Sequence, residues 1–357
     1  MNISIALATW NGERFLRDQL DSLAAQTFLP HEVVVSDDGS TDETLAILED
    51  FTATAPFPVT VRANQKRLGY AENFLQAAAM CSGDYIAFCD QDDVWLERKL
   101  ARSKEALQAS GAGLLIHRNI VATEGLIPTR RRIPSFRRSF TAAPLRVDVW
   151  KPVPGNAMVV SGAVLKLDFS HRPRGRSRSG APMTHDEWTY FIATAIGSTH
   201  FLSEALVYYR QHAANVFGTP SLPSLGRTIE PAPADYRFLA ERAMERAAFL
   251  EEFAISSSFA RDSFKAAAGH YRALAGRLEA RAAVYSPRAG SARRLGRVAL
   301  LAAKRGYRSR TRGGLGLRSF FKDAIRSPLP LSARRNDVEP LTPSSVGESR
   351  KPDSGQT

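Results

Sequence analysis

The densest group of reactive side chains in this sequence is the run Asp90-Gln91-Asp92-Asp93, which places three carboxylates within four residues. Such carboxylates repel one another unless a cation or hydrogen-bond donors compensate their charge. On an extended backbone Asp90 and Asp92 project to the same side. Two carboxylates so placed suit Mg²⁺ or Mn²⁺, which take oxygen ligands and share them with phosphates. The alternative is that these acids cap the next helix, whose dipole favours negative charge, and Asp93 fits that alternative best.

Two further polar motifs each follow an apolar, β-rich run. They are Thr9–Glu13 (TWNGE) and Asp37–Asp42 (DDGSTD). In open α/β sheets ligands bind beyond the carboxyl ends of the strands, so the three motifs are expected to converge. No GxGxxG motif follows a strand and no GxxxxGK[ST] motif occurs, which disfavours a dinucleotide dehydrogenase and a P-loop enzyme.

The elements that must position these motifs alternate between short β-rich runs and helical patterns, which predicts βαβ units and a mostly parallel sheet. Asn11 is predicted to cap the first helix, and Ser40 with Glu43 forms a capping-box pattern before the second. The sequence predicts strands at residues 3–9, 32–36, 58–62, 84–89 and 113–117, with a helix after each of the first four.

The second half of the chain is less regular. Five arginines at 130, 131, 132, 137 and 138 lie among prolines, which predicts a mobile basic insertion over residues 126–150. Two helices are expected over residues 235–285, and the composition after residue 328 predicts a disordered tail. The predicted organisation is a domain over residues 1–218, a basic helical extension over 219–327 and the tail over 328–357.

Composition narrows the class of protein. The chain has 357 residues, 44% of them hydrophobic and 24% charged, which is ordinary for a globular protein. It has no apolar run long enough to span a bilayer, no basic segment typical of a secretory signal, and only two cysteines. A cytoplasmic protein without a disulfide framework is therefore expected.

Charge is divided unevenly along the chain. Residues 1–125 contain 10 basic and 18 acidic residues, a net charge of −8, whereas the remainder contains 38 basic and 18 acidic residues, a net charge of +20. Acidic clusters suit metal ions, and basic surfaces suit phosphates, nucleic acid or anionic lipid. A nucleic-acid-binding protein is disfavoured, because the recognisable motifs lie in the acidic part and the basic part carries no motif that reads RNA or DNA.

The segments TWNGERFL, VVVSDDGSTDET and FCDQDDVW together resemble the nucleotide-sugar glycosyltransferases of family 2, which have the GT-A fold. The segments HDEW and YRQHxxN make the bacterial rhamnosyltransferase-like members the closer resemblance. The resemblance covers about residues 1–218. It implies an α/β fold of GT-A type, with a mixed, mostly parallel sheet flanked by helices, followed by a C-terminal α-helical extension.

On the donor side, the resemblance implies that Thr9 lines the base and ribose, with Glu13 a further ribose candidate. Asp38 would accept the imide N–H of uracil or thymine; the alternative is that it only forms an Asx turn. Asp90 and Asp92 would hold Mn²⁺ or Mg²⁺ on the diphosphate. The residues matching the segment near the donor sugar are Arg67, Gly69 and Asn73.

On the acceptor side, the resemblance makes Asp186 the general base that an inverting transfer needs. Glu187 is better explained as an acid favoured at a helix N-terminus. Trp188 is either an apolar floor for a sugar or a core residue. His212 is a metal or diphosphate ligand or a structural histidine, and Arg210 either neutralises the diphosphate or forms a surface salt bridge.

The resulting hypothesis is an inverting, metal-dependent transfer of a sugar, with rhamnose as one candidate, from a UDP- or dTDP-sugar to a saccharide or lipid-linked acceptor in surface polysaccharide synthesis. The alternative is a non-catalytic nucleotide-sugar-binding module. A nucleotidyltransferase is disfavoured, because TWNGERF lacks a Gly-rich basic loop. The basic helices either contact an anionic membrane at its cytoplasmic face or are a solvated extension.

Overall fold

The structure is a computed structural model that describes residues 1–213, 215, 233–256, 260–286, 289–312 and 314–327. The strands are β1 Ile3–Thr9, β2 Glu32–Asp37, β3 Val59–Ala63, β4 Tyr85–Asp90, β5 Val94–Trp95, β6 Leu114–Ala122, β7 Pro128–Ile133, β8 Phe140–Ala142, β9 Met158–Ser161 and β10 Thr199–Arg210. The helices are α1 Leu16–Ala24, α2 Thr44–Thr54, α3 Tyr70–Met80, α4 Lys99–Ser110, α5 Gly162–Leu165, α6 His185–Ile196, α7 Pro233–Ser256, α8 Arg261–Val284, α9 Ser291–Ala303 and α10 Leu317–Arg326.

The strands form one mixed sheet in the order β3-β2-β1-β4-β9-β6-β10-β5, with β7 on β6 and β8 on β10. Strands β1 to β4 run parallel to one another, and β9 lies antiparallel between β4 and β6. Thr9 is in register with Asp37, and Ala8 is in register with Asp90. The carboxyl ends of β1, β2 and β4 therefore lie side by side, as the sequence predicts.

Successive side chains of each strand point to opposite faces of the sheet, and each face is covered by a hydrophobic core. In β1, Ile3, Ile5 and Leu7 point to the core that α1, α2 and α4 cover. Ala6 and Ala8 point to the other core, which is covered by α3 and α6 and continues into α7 and α8. The C-terminal helices therefore share a core with the sheet.

Helix α6 lies between the sheet and the two long C-terminal helices. Trp188 is fully buried, with its ring centroid 5.5 Å from that of Phe249 in α7. Phe191 lies 5.5 Å from the ring of Tyr271 in α8. The interpretation of Trp188 as an exposed floor for a sugar is therefore wrong, because its side chain is part of the core.

Two predicted helix caps are wrong. Asn11 lies five residues before α1 begins, has a left-handed φ of 46° and accepts a hydrogen bond from the Thr41 N–H at 2.9 Å. The Ser40 hydroxyl donates to Asp37 at 2.5 Å, so no capping box forms, and α2 begins only at Thr44. Both side chains join the loop after β1 to the loop after β2 instead of capping a helix.

The arginine-rich segment differs from the predicted irregular insertion. Pro128–Ile133 pairs antiparallel with β6, and Phe140–Ala142 pairs with β10. The two helices predicted over residues 235–285 are present as α7 and α8. The predicted disordered tail and the boundary at residue 218 lie outside the described residues. Within the described part of the chain, none of the helices combines the length and the apolar character needed to cross a bilayer.

Candidate active site

The loop after β2 is held by Asp37. Its carboxylate accepts a hydrogen bond from the Thr9 hydroxyl at 2.8 Å and from the backbone N–H groups of Gly39 at 3.1 Å and Ser40 at 2.8 Å. The Asx turn considered for Asp38 is thus formed by its neighbour. Thr9 is buried, and its hydroxyl joins β1 to β2 instead of pointing outward. We conclude that Asp37 and Thr9 set the shape of the loop.

Asp38 points toward the segment before α3. It is 3% exposed, and its carboxylate accepts the backbone N–H of Leu68 at 2.6 Å and of Gly69 at 2.8 Å. Gly69 has a φ of +86°, which favours glycine there. Asn64 Nδ2 also donates to Oδ1 at 3.4 Å, so with two lone pairs on each carboxylate oxygen the acceptor capacity left for a further N–H lies on Oδ2, which is 3.9 Å from Arg67 Nε. The imide contact stays a prediction.

The other predicted donor residues divide into exposed and structural ones. Arg67 is 59% exposed, with its guanidinium carbon 3.5 Å from the centroid of the exposed Trp10 ring. Asn73 is buried and donates to the Thr9 carbonyl at 3.1 Å. Glu13 accepts the Glu43 backbone N–H at 3.1 Å. Of this group, Glu13 and the pair of Arg67 with Trp10 face solvent, whereas Asn73 lies inside the fold.

Asp90 and Asp92 differ in their surroundings. Asp90 is half-buried, and no donor among the described residues bonds to its carboxylate. Burial first, then the negative charges of Asp92 and Asp186, raise its pKa to about 7. Asp92 Oδ2 lies 2.8 Å from His212 Nε2 and accepts from Asn215 Nδ2 at 3.3 Å. Asp90 is therefore the carboxylate of the two that has no hydrogen-bond donor among the described residues, and the positive charge of Lys99 partly offsets its negative charge.

His212 and Arg210 follow β10 into this site with different roles. The His212 ring lies 4.7 Å from the Phe15 ring and its Nε2 reaches Asp92, while its role as a metal or diphosphate ligand stays a prediction. The Arg210 guanidinium is buried and donates to the Asp18 carboxylate at 2.7 Å. It also donates to the backbone carbonyls of Asp92 at 2.8 Å and Glu124 at 2.9 Å. The bond to Asp18 agrees with the interpretation of Arg210 as a salt-bridge residue, although its guanidinium is buried and not at the surface, and its contact with the diphosphate stays a prediction.

Asp93 is not a helix cap, since α4 begins at Lys99. Asp93 is fully buried and accepts from Asn156 Nδ2 and from the Arg210 N–H, the latter at 3.1 Å. Lys99 donates to the Asn156 carbonyl at 3.0 Å and lies 3.3 Å from the Trp95 ring centroid. Burial lowers the pKa of Lys99 to about 7. These groups form a polar support beneath the acidic turn.

The donor chemistry at the turn fits a hard divalent cation, because Asp90 has no hydrogen-bond donor among the described residues and lies close enough to Asp92 to feel its charge. No three His, Cys, Asp or Glu side chains in the described part of the chain form a metal-binding group. Asp90 and Asp92, with His212 beside Asp92, are the candidate ligands in the described part of the chain.

Asp186 lies in the first turn of α6. Its Oδ1 accepts from the Thr184 hydroxyl and from the Glu187 N–H at 2.8 Å, whereas no described residue donates to Oδ2. Glu187 is paired with Arg176 at 2.7 Å, in line with the expected structural role. Burial, then the charges of Asp186 and Glu187, raise the pKa of Tyr70 to about 12. Asp186 and Glu187 border a narrow pocket also lined by Val149, Lys151, Val153, Arg176, Tyr190 and Arg246.

Sequence reasoning missed Gln91, the second residue of the acidic run. Its side-chain amide accepts the Trp10 N–H at 2.9 Å and donates to the Trp10 carbonyl at 3.1 Å, fastening the loop after β1 to the turn after β4. A Cβ on Gly12 would collide with the amide end of Gln91, so the Gln91 side chain would have to move away from Trp10. Gly12 and Gln91 follow β1 and β4, which are neighbouring strands, and this placement could have indicated the contact.

Sequence reasoning also missed His185, beside Asp186. Its ring is buried and stacks on Phe74 at 4.1 Å between centroids. A Cβ on Gly155 would collide with Nε2 of His185. Burial lowers the pKa of His185, so the ring is neutral. His185 therefore anchors the start of α6 against α3.

Comparison with known proteins agrees with this geometry. Residues 4–163 match the family described as glycosyl transferase family 2. An uncharacterised glycosyltransferase of Nostoc sp. is 29% identical over 221 residues, which is 60% of this chain and 66% of that protein. The dTDP-rhamnosyl transferase RfbG of Shigella flexneri is 27% identical over 223 residues, 59% of this chain and 73% of that protein. The chain thus spans about two thirds of the length of these relatives.

Solved structures show the same fold. TarS residues 1–349 of S. aureus, in complex with UDP-GlcNAc, superimposes with a TM-score of 0.52 at 18% identity, over 92% of this chain and 89% of that one. The mixed, mostly parallel sheet with its flanking helices is therefore of GT-A type, as expected from the motifs. Together the family match and the named relatives support glycosyltransferase activity.

Proposed function

Because residues 4–163 match the family described as glycosyl transferase family 2, we propose that this protein is an inverting, metal-dependent glycosyltransferase. It would transfer a sugar from a UDP- or dTDP-sugar to an acceptor hydroxyl. The observation that carries the proposal is the convergence of acids from separate segments: Asp90 and Asp92 after β4, and Asp186 in α6, which is close enough to raise the pKa of Asp90.

The donor would lie along the carboxyl ends of β1, β2 and β4. Asp38 offers lone pairs to the imide N–H of the base, with the loop at Leu68 and Gly69 holding its carboxylate in place. Arg67 and Trp10 form an exposed cation–π pair at the mouth of the site, where a guanidinium suits a phosphate. Thr9, Glu13 and Asn73 support this edge through the loops they join.

Asp90 and Asp92 are the proposed ligands of Mn²⁺ or Mg²⁺, with His212 beside Asp92 as a third candidate. A bound ion would neutralise charge that develops on the departing diphosphate. Arg210 would act as a positioning residue, because it donates to the carbonyl of Asp92 and bonds Asp18 across the site.

Asp186 is the proposed base. Its Oδ1 is held by Thr184 and by the Glu187 N–H, which orients Oδ2 for the acceptor. Oδ2 would take the proton of the acceptor hydroxyl as that oxygen bonds the anomeric carbon. The bond from the anomeric carbon to the diphosphate breaks on the opposite face, so the configuration inverts. The partly buried ion pair of Glu187 with Arg176 leaves Asp186 as the acid available for this step.

Named relatives support the choice of donor and product. One is the dTDP-rhamnosyl transferase of Shigella flexneri, and another is the abequosyltransferase RfbV of Salmonella typhimurium, 32% identical over 28% of this chain. We infer a deoxysugar donor such as dTDP-rhamnose and a saccharide or lipid-linked acceptor in surface polysaccharide synthesis. The protein would act in the cytoplasm, in peripheral contact with the anionic face of the membrane.

The second candidate is a nucleotide-sugar-binding module without catalysis. Two features favour an enzyme. The Asp90 carboxylate has no hydrogen-bond donor among the described residues, and two donors hold Oδ1 of Asp186. A protein that only binds a nucleotide-sugar has no need for a base beside the acidic turn. A screen of UDP-, dTDP- and GDP-sugars with and without Mn²⁺ tests both ideas. Mn²⁺-dependent thermal stabilisation, followed by transfer or hydrolysis of the same donor, supports the enzyme. Stabilisation without any turnover supports the binder, and no stabilisation by any donor contradicts both.

A further inference from the structure

The last described helix, α10, buries polar side chains on the side that packs against the rest of the fold. With 100° of rotation per residue, Ser319 and Asp323 share one side of α10, and both are buried. Leu317, Phe321 and Ile325 share the opposite side, and they are 64%, 56% and 67% exposed. The apolar Phe320 also packs inward, with its ring centroid 5.3 Å from that of Tyr307, so the buried side of α10 mixes polar and apolar side chains while a separate apolar stripe stays exposed.

Specific bonds hold α10 in this orientation. The Arg281 guanidinium in α8 donates to both carboxylate oxygens of Asp323, at 2.9 and 3.0 Å, and to the Ser319 hydroxyl at 2.9 Å. The hydroxyls of Tyr285 and Tyr307 also donate to Asp323, the latter at 2.8 Å. Rotation of the helix to hide its apolar side would leave the Arg281 charge buried and unpaired.

Positive charge borders the apolar stripe. The exposed Arg318 and Lys322 follow Leu317 and Phe321 by one residue each, so a basic row runs beside the apolar one. Residues 291–327 contain eleven basic residues and one acidic residue, Asp323, whose charge is paired inside the fold. The surface around α10 is therefore apolar and cationic together.

We propose that the Leu317–Phe321–Ile325 face of α10 docks on an anionic lipid bilayer, with the apolar side chains inserted and Arg318 and Lys322 at the headgroups. An apolar stripe beside a basic row is the pattern of a helix that lies in a membrane interface. Charge complementarity selects anionic lipid as the occupant. The inference deepens the proposed function, because a lipid-linked acceptor would be found at such a surface.

The test is co-sedimentation of the full chain with vesicles of phosphatidylcholine alone or with phosphatidylglycerol. We expect binding only to the anionic vesicles, weakened at least tenfold in Phe321→Gln/Ile325→Gln and about fivefold per charge in Arg318→Gln or Lys322→Gln. The control variant Leu29→Gln/Leu45→Gln removes two exposed apolar side chains on other elements and should bind as the wild type does. Equal binding by the Phe321→Gln/Ile325→Gln variant would overturn the proposal.

Two other occupants give different results. If residues 328–357 cover the stripe, the full chain will not bind vesicles, whereas a chain ending at Ser327 will. If a second copy covers it, the wild type will be a dimer by light scattering, Phe321→Gln/Ile325→Gln will be monomeric, and neither will bind vesicles. Either result overturns membrane docking. Vesicle binding needs no sugar nucleotide, so its failure leaves the proposed transfer standing, and failure of all donors leaves the docking result standing.

Discussion

His212 Nε2 lies 2.8 Å from Asp92 Oδ2, although 120 residues separate the two in the chain. The contact joins the segment after β10 to the turn after β4, and Arg210 reinforces it through the Asp92 carbonyl. Because β5 and β10 pair directly, the end of β10 is delivered to the acidic turn by the sheet itself. The acidic turn is therefore fixed from two directions before any substrate binds.

Replacement of Asp186 tests the proposed base. Asp186→Asn keeps the size of the side chain but cannot accept the hydroxyl proton, so we expect a loss of transfer of about 10²- to 10⁴-fold with donor affinity retained. Turnover and donor binding by calorimetry measure the two effects. The matched variant Glu187→Gln should keep much more activity, and near-wild-type turnover in Asp186→Asn would show that the base lies elsewhere.

Chelation tests the proposed metal ligands. We expect exhaustive dialysis against EDTA to abolish transfer and added Mn²⁺ or Mg²⁺ to restore it. Asp90→Asn and Asp92→Asn should each remove the Mn²⁺-dependent thermal stabilisation by the donor. His212→Gln should weaken Mn²⁺ binding less, because His212 bonds to the Asp92 carboxylate. Full turnover by protein shown to be free of metal would exclude this arrangement.

The contact of Gly12 with Gln91 predicts a coupled pair of substitutions. The Cβ of Gly12→Ala would displace the Gln91 side chain and break its two hydrogen bonds to Trp10, so we expect a loss of about 1–2 kcal/mol of unfolding free energy. In a Gln91→Ala background the same substitution should cost much less. Urea unfolding of the four proteins measures the coupling, and simple additivity would contradict the contact.

The buried pair of Arg281 with Asp323 should dominate the stability of the C-terminal helices. Asp323→Ala leaves a buried guanidinium unpaired, and we expect a loss of about 3–5 kcal/mol and faster tryptic cleavage within residues 291–327. Arg272→Gln removes an exposed pair with Glu251 and should cost about 1 kcal/mol or less. Equal effects of the two substitutions would show that burial does not matter here.

Two buried histidines that stay neutral in the folded protein should lower the free energy of unfolding in mild acid. Burial, then the charge of Lys99, holds the pKa of His117 well below its usual value, and burial also lowers the pKa of His185. Below about pH 6.5 the histidines of the unfolded chain become protonated, whereas His117 and His185 in the folded protein stay neutral. The contributions of His117 and His185 to the free energy of unfolding should therefore be retained above that pH and fall as the pH decreases from 7 to 5, whereas Asp90, with its pKa raised to about 7, contributes in the opposite direction over the same range. His117→Asn should show a shallower decrease in urea titrations, and an unchanged slope would contradict this cause.

Much of the fold could be predicted because its signals are local. The run ISIALAT forms β1 over the predicted residues, and the motifs TWNGE, DDGSTD and DQDD lie at the strand ends where they were expected. β7 could not be predicted, because Pro128 and three arginines have low strand propensity and form a strand only by pairing with β6.

The roles of individual side chains were harder to predict than their neighbourhood. Asp37 and Asp38 are adjacent, and nothing in the sequence shows which one closes the Asx turn and which one bonds the Leu68 amide. The buried position of Arg210 depends on Asp18, 192 residues away. Such long-range partners leave no local pattern.

The packing of Trp188 on Phe249 and of Phe191 on Tyr271 has an evolutionary consequence. Helix α6, which bears Asp186, packs on both the sheet and the C-terminal helices. The sheet or the C-terminal helices alone therefore cannot be exchanged for those of a relative. A chimera joined near residue 218 would carry mismatched aromatic surfaces directly behind its acceptor side. Recombination within such a lineage should therefore preserve the two parts as one inherited unit.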